Sequence, residues 1–254
     1  MKVGKQNLNY PKYQSLVHDN AVKKGFWENV NFHSLVADIT VEVGELISAI
    51  KSGRASDIIG YEKDLLNEVC YLIPGRHEND RFKQDRKIFE LRIKDTDGDE
   101  IADVAILTMS LCEGFGLKID KSCFPNSDMV LNFAKSDNNV FMMINRLSFL
   151  VSKVAGTPID NFGTSPMVQT LICQILYSVE FIAEYLQIDL EYHIDKKMRY
   201  NQDRPYLHGK KQIMSAKSCE FLDCGFCFDK SNNNNSSKNG SCSAPWKCQI
   251  LNAF

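Results

Sequence analysis

The sequence predicts an all-α fold, and three observations carry that reading. Proline and glycine are sparse between Phe32 and Tyr200, so little interrupts the chain there. Apolar residues in this stretch recur at three and four more often than at two, the spacing of a helical face. No segment makes a convincing sheet strand. With 254 residues, 44% of them hydrophobic, the chain can bury one large core or two small ones.

The elements follow in order. Leu35, Val36, Ile39, Val43, Leu46, Ile47 and Ile50 form a stripe at helical spacing that runs until Gly53 stops it. Residues 55–98 mix acids and bases densely, as in HENDRFKQDRK, and predict an inserted, largely solvated and loosely packed helical excursion. A second helix is expected from about Asp99 to Glu113, with Ile101, Val104, Ala105, Thr108 and Leu111 on its buried side and an end near Gly114 and Gly116. From Asn139 the pattern begins again. VFMMINRLSFLVSKVAG resembles the first bundle helix and LICQILYSVEFIAEYLQIDLEYHI the second; the strongest internal match sets Leu111–Asp120 against Ile182–Glu191. This divides the chain into a first half over 10–125, a second over 137–215, and a tail over 218–254. The tail holds SNNNNSSKNGS, a polar run that cannot bury enough surface to fold alone.

A net charge of −2 excludes a protein coated in positive charge for non-specific binding of nucleic acid or membrane, so any anion it handles must be met locally. No stretch approaches the roughly 20 uninterrupted apolar residues of a membrane helix, and Met1–Tyr10 lacks the apolar core of a secretory signal. A cytoplasmic location without membrane attachment is therefore expected. Cys70, Cys112, Cys123 and Cys173 lie among apolar residues, as buried thiols do.

Two acidic motifs carry the chemistry. VEVGEL holds Glu42 and Glu45; DEIADV holds Glu100 and Asp103. Residues three apart share a helical face, so two such helices side by side would bring four carboxylates to one point. Their repulsion is tolerable only around a cation. Oxygen ligands without histidine or thiolate select Mg²⁺ or Mn²⁺ over zinc, and an ion held this way is completed by waters and substrate phosphates. Paired acids on a helix usually do nothing but face solvent; here both pairs sit in apolar flanks, LVADITVEVGELISAI and DEIADVAILTMSL, where carboxylates need partners. Asp38, one turn before Glu42, is either a further ligand or water-orienting group or a solubilising carboxylate.

AVKKGFWE, VEVGELISAIKSGR, DEIADVAILTMSLCEGFGLKID and KKMRYNQDRPYLHGKK together resemble the MazG-like nucleotide pyrophosphohydrolases, whose hallmark is ExxE on one helix and ExxD on a later one. The resemblance implies a four-helix-bundle architecture, assigns Glu42, Glu45, Glu100 and Asp103 to the metal, and implies hydrolysis of a nucleoside or deoxynucleoside triphosphate to monophosphate and pyrophosphate. It also implies a role in sanitising the nucleotide pool or adjusting DNA precursors. Two departures stand out: Val41 replaces a glutamate that many relatives carry before Glu42, and the closing KMRYN segment comes only after the second half. Aligned on the first half, the second places Arg146 and Phe149 opposite Glu42 and Glu45, and Leu171 and Gln174 opposite Glu100 and Asp103. The expectation is two tandem four-helix-bundle-like halves forming a pseudo-dimer in one chain, the second half degenerate and without metal ligands. Homo-oligomers through the bundle are also expected.

In this reading the second half supplies Lys197, Asn201 and Arg204 to the phosphates or sugar, from a segment, His193–Lys217, with seven Lys and Arg against two Asp. Its alternative is a solvated helix end. Trp27 could stack on a base, although anchoring an N-terminal helix to the core is preferred. His208 reads as a surface histidine that could touch phosphate. In the tail, Cys224 and Cys227 have CxxC spacing, and Cys242 and Cys248 could complete a zinc site; the alternative is a flexible tail with reactive thiols. Two competing functions stand beside the main one: a dUTPase-like enzyme restricted to dUTP, and a catalytically silent binding protein with a zinc-binding tail.

Overall fold

Asn31 starts the first long helix. Its Oδ1 accepts from the Ser34 N–H at 2.9 Å while its own N–H donates to Ser34 Oγ at 3.2 Å, a reciprocal cap. The computed structural model describes residues 8–28, 30–70, 78–119, 139–157, 165–202 and 204. These form eight helices: α1 Tyr10–Lys23, α2 Phe32–Lys51, α3 Ile58–Cys70, α4 Glu78–Arg92, α5 Asp97–Gly114, α6 Val140–Ala155, α7 Pro166–Tyr185 and α8 Leu190–Gln202. The fold is all-α, with no strand among the described residues.

Helix α5 lies in the middle, packed against α1, α2, α7 and α8. It buries residues on nearly every side, from Ile101, Ala102, Val104 and Ala105 to Met109 and Leu111. Around it α2 packs on α5, α5 on α7, α7 on α6 and α6 on α2, closing a ring of four helices. One continuous core results, holding Leu46, Ile101, Ile144, Leu147, Ile172 and Val179 together. The two halves expected from the repeat therefore each contribute three helices to a shared core, α1, α2 and α5 from one and α6, α7 and α8 from the other, and neither has a bundle of its own among the described residues. Helix α7 is long and apolar enough to cross a membrane by composition, yet Val168, Ile172, Ile175, Leu176, Val179 and Ile182 are spent in this core.

Helix α1 is tied down by its tyrosines. Tyr10 donates to Glu180 at 2.8 Å, and the Tyr13 hydroxyl lies 3.0 Å from both Glu191 and Asp195, although both rings are otherwise sealed in the core. Trp27, on the turn that follows, donates from Nε1 to Ser110 Oγ at 3.0 Å and sets its edge on His18 at 4.6 Å. This packing agrees with Trp27 as a core anchor. Gly114 makes it possible, because a Cβ there would fall 1.9 Å from the indole.

The described residues of the excursion, 55–70 and 78–98, are largely helical, as expected, but helices α3 and α4 are not loosely packed. Tyr61, Ile88, Phe89 and Ile93 form a second, small core with Tyr200 of α8. Phe89 stacks on Tyr200 with ring centroids 4.6 Å apart, and Arg92 bridges Asp57 at 2.8 Å and Asp64 at 3.0 Å, locking α4 to α3.

Four helices, α1, α2, α5 and α7, end in the same backbone turn, at Gly25, Gly53, Gly116 and Gln187. After α5, Phe115 N bonds Leu111 O, Gly116 N bonds Glu113 O and Leu117 N bonds Cys112 O; after α7, Leu186 bonds Ile182, Gln187 bonds Glu184 and Ile188 bonds Ala183 at the aligned positions. This is the Schellman turn, whose pivot must take a left-handed conformation. Gly116 does so at φ +66°, and Gln187 at φ +60°. A side chain in that region costs roughly 1–2 kcal/mol, partly offset by the stiffer unfolded chain of a non-glycine residue. Gln187→Gly should therefore stabilise the fold by up to about 1 kcal/mol, a rise in Tm of roughly 2–4 °C. Gly116→Gln should lower it by a similar amount. Thermal denaturation of the two variants checks the pair, and a destabilised Gln187→Gly would contradict it.

Candidate metal centre

The first turn of α5 is built from acids. Thr96 accepts from the Asp99 N–H at 3.4 Å as the cap, and Asp97, Asp99 and Glu100 follow, where the helix dipole favours negative charge. Asp103 lies one turn on. Because α2 packs along α5, Glu42 arrives beside this end, and the carboxylate oxygens of Glu42, Glu100 and Asp103 lie within 4.8 Å of one another. Glu100 is buried; Glu42 and Asp103 are half-buried.

Such a cluster cannot stay fully ionised on its own. Like charges about 4 Å apart repel by roughly 4 kcal/mol even at an effective dielectric of 20, a large fraction of the whole stability of a domain. Burial, then Asp103, Glu45 and Glu100, push the Glu42 carboxyl up to about 9. Burial, then Asp103 and Asp99, push Glu100 up to about 8. Burial also raises Asp103, with Lys197 holding it back. Glu42 Oε2 is buried and has no hydrogen-bond partner. Three convergent carboxylates, no nitrogen or sulfur donor among them, and an orphaned oxygen fit a hard divalent ion such as Mg²⁺ or Mn²⁺.

Lys197 enters from α8. Its side chain is 7% exposed, and its Nζ donates to Asp99 at 2.8 Å and lies 2.6 Å from Asp103 Oδ2. Burial would strip its proton, but Asp103 and Asp99 outweigh that and hold the ammonium above its usual range. One turn before it, His193 is buried against α5: a Cβ on Gly98 would lie 2.3 Å from its Cε1 and 2.5 Å from its Nε2. Burial lowers His193 to about 4, so the imidazole is neutral, and its Nδ1 has no partner.

Of the expected metal ligands, Glu42, Glu100 and Asp103 are brought together. Glu45 is exposed at the edge of the triad, near enough for its charge to raise Glu42. Asp38 is exposed on α2, four residues before Glu42 and outside the triad. Lys197 reaches the site, but its ammonium is engaged by Asp99 and Asp103. Asn201, half-buried, lies one turn beyond it, and Arg204 donates to Asn201 Oδ1 at 3.4 Å while its guanidinium covers Tyr200 at 5.4 Å. Trp27 binds Ser110, seven residues from Asp103 and so about 10 Å along the α5 axis from the acids. Cys224, Cys227, Cys242, Cys248 and His208 lie outside the described residues.

The reading of the sequence missed Asp99, Asp95 and His193. Asp95, Asp99 and Glu100 form a second group of convergent carboxylates within the same 4.8 Å spacing. The signals were present: Asp99 stands four residues before Asp103, and His193 four before Lys197, each pair on one helical face. The chain matches no family model, no curated protein and no solved structure.

Proposed function

We propose that the chain is a divalent-cation-dependent hydrolase that splits a nucleoside or deoxynucleoside triphosphate between its α and β phosphates, in the manner of the MazG-like pyrophosphohydrolases. The observation that carries this reading is the convergence of Glu42 from α2 with Glu100 and Asp103 from α5, around a buried oxygen that lacks a partner. A divalent ion held there would neutralise phosphate oxygens and polarise the attacking water. The residues of the chain do the rest. Glu42, Glu100 and Asp103 hold the ion. Glu45, exposed one turn along α2, orients the water and accepts its proton as the water oxygen bonds the α-phosphorus and pyrophosphate leaves. Asn201 lies one turn beyond Lys197 on α8, Arg204 just past the helix end donates to it, and the two meet the polyphosphate. Lys197 itself, engaged by two aspartates, holds Asp103 in place. The sequence match of Leu111–Asp120 with Ile182–Glu191 supports α6 and α7 as a copy of α2 and α5 without the acids, a pseudo-dimer folded into one chain.

The test is a panel of ribo- and deoxyribonucleoside triphosphates, assayed for pyrophosphate release with Mg²⁺, with Mn²⁺ and with chelator. Release from several triphosphates that chelator abolishes is the expected outcome; release from dUTP alone would favour the dUTP-restricted reading. No release from any of them would sink the proposal. Glu42→Gln should lower kcat/KM by about 10³-fold or more, roughly 4 kcal/mol of barrier. The same variant should melt a few degrees higher than the parent in chelator, because the parent must take up a proton at Glu42 to fold near neutral pH and glutamine need not.

The raised carboxyls make the stability of the metal-free chain depend on pH. Glu42 and Glu100, ordinarily near 4.5, titrate at about 9 and about 8 in the fold. A carboxyl raised on folding contributes stability that is complete below its unfolded value and is lost as pH rises through its folded value. Without metal, Tm should therefore fall between pH 6 and pH 9. Mg²⁺, which binds the ionised form and displaces the protons, should restore more stability at pH 9 than at pH 6. Melting curves across that range check both slopes, and a metal-free Tm that climbs with pH would contradict the electrostatics of the cluster.

A further inference from the structure

Two carboxylate groups share Glu100, and they are not equivalent. In the group of Glu42, Glu100 and Asp103, Glu42 Oε2 is buried with no donor on it. In the group of Asp95, Asp99 and Glu100, the donors are supplied by the chain. Asp99 Oδ1 accepts from Lys197 at 2.8 Å and Asp99 Oδ2 from the Asp95 N–H at 3.0 Å, while the Asp95 carboxylate holds Lys94 Nζ at 2.8 Å through both oxygens. Lys94 is partly exposed and Asp95 exposed, and their pair contributes little. Lys197 and Asp99 are sealed from water, so theirs is a different kind of interaction.

A buried ammonium is expensive unless its geometry is good, and loss of one partner from such a pair is strongly destabilising. Lys197 has two carboxylates within 2.8 Å, one from each acidic group. It therefore stands at the joint between them. A second divalent ion, bridging from Asp99 towards Asp103, would have to take the position of the ammonium.

We propose that Lys197 is the second cation of this site: a resident positive charge that fills the place between Asp99 and Asp103 and limits the cluster to one divalent ion, held by Glu42, Glu100 and Asp103. The inference rests on the proposed reading of that triad as an ion site. It makes Lys197 a positioning residue that sets ion number, and it leaves the phosphates to Asn201 and Arg204.

Titration of the full chain with Mn²⁺, counting bound ions by the loss of the free-ion EPR signal, tests it. The parent should bind one ion per chain, and Glu42→Gln should lose it. Lys197→Met, which removes the ammonium and keeps the apolar stem, should bind two. Lys197→Arg, which keeps the charge, should bind one. The double variant Lys197→Met/Asp99→Asn should also bind one, because it loses a ligand of the second position. Circular dichroism in chelator and in Mn²⁺ runs beside the titration. Lys197→Met should melt lower than the parent in chelator and recover more of its Tm with Mn²⁺. A folded Lys197→Met that still binds a single ion overturns the inference, as does a Lys197→Met chain that Mn²⁺ fails to refold. The outcomes separate the two proposals. A parent that binds no ion sinks the triad reading, and a gain of an ion in Lys197→Met would then still show the ammonium in a cation's place. A parent that binds one ion through Glu42, with no gain in Lys197→Met, sinks only the role of the lysine.

Discussion

The ion pair of Lys197 with Asp99 and Asp103 is what lets α5 begin inside the protein. A helix start needs acceptors for its free N–H groups, and acids there suit the dipole. On an exposed helix such acids are solvated at no cost. Helix α5 is enclosed by α1, α2, α7 and α8, so Asp99 and Glu100 are taken out of water as they are used. One buried ammonium offsets part of that charge. Its position depends in turn on α8, which α1 holds at both ends: Tyr13 sits on Glu191 and Asp195, and Lys24 donates to the carbonyls of Gln202 and Arg204 at 2.6 and 2.7 Å. A contact far from the acids thus decides whether they are paired.

The excursion of α3 and α4 belongs to the same construction. Its base is pinned where Asp57 N bonds Arg92 O and Asp97 N bonds Arg54 O, so the chain leaves after α2 and returns to start α5 at a fixed point. Ser56 and Thr96 close the base with a hydroxyl contact of 2.6 Å. The aromatic side chains above it wall off the lysines: Lys196 lies over Tyr61 and Tyr192 at 4.7 and 4.9 Å, and Lys197 lies 6.0 Å from both Phe89 and Tyr200. With water excluded on that side, the attraction between Lys197 and its aspartates is less screened. An insertion that reads as solvent-facing thus helps hold the ion pair that the centre depends on.

What was legible in the sequence is what period and spacing report. The stripe from Leu35 to Ile50 and the one from Ile101 to Leu111 gave two helices and the face each buries, and the ExxE and ExxD spacings brought Glu42, Glu100 and Asp103 to one place. Glu45 shows the limit of the spacing argument. Residues three apart are about 60° apart around a helix, which on α2 leaves Glu45 exposed while Glu42 turns in, whereas α5 is buried on nearly every side and both Glu100 and Asp103 reach the cluster. Lys197 shows a different limit. Its partner Asp99 is 98 residues away, and nothing in KKMRYN distinguishes a buried lysine from a solvated one. Gly114 read as a helix stop; it is the last residue of α5, and its missing side chain is the room that Trp27 fills. The excursion misled because α4 is polar over most of its length, and a handful of residues, Ile88 and Phe89 among them, carry its docking.

In the proposed pseudo-dimer, the asymmetry between the two helix pairs suits the same electrostatics. Each of the two matched helix pairs could carry four acids in principle, yet only α2 and α5 do; the aligned positions on α6 and α7 hold Arg146, Phe149, Leu171 and Gln174. All four helices close on one core. A second acidic cluster packed into that core would add its own repulsion to a fold whose net stability is on the order of 10 kcal/mol. An apolar copy has the opposite effect. Ile144, Leu147, Ile172 and Val179 are fully buried, and side chains of this size contribute roughly 1.5–3 kcal/mol each relative to exposure. One helix pair can then hold its carboxylates close enough to repel because the other supplies apolar packing and puts no acid at the four aligned positions, its own acids, Glu180 and Glu184, lying further along α7.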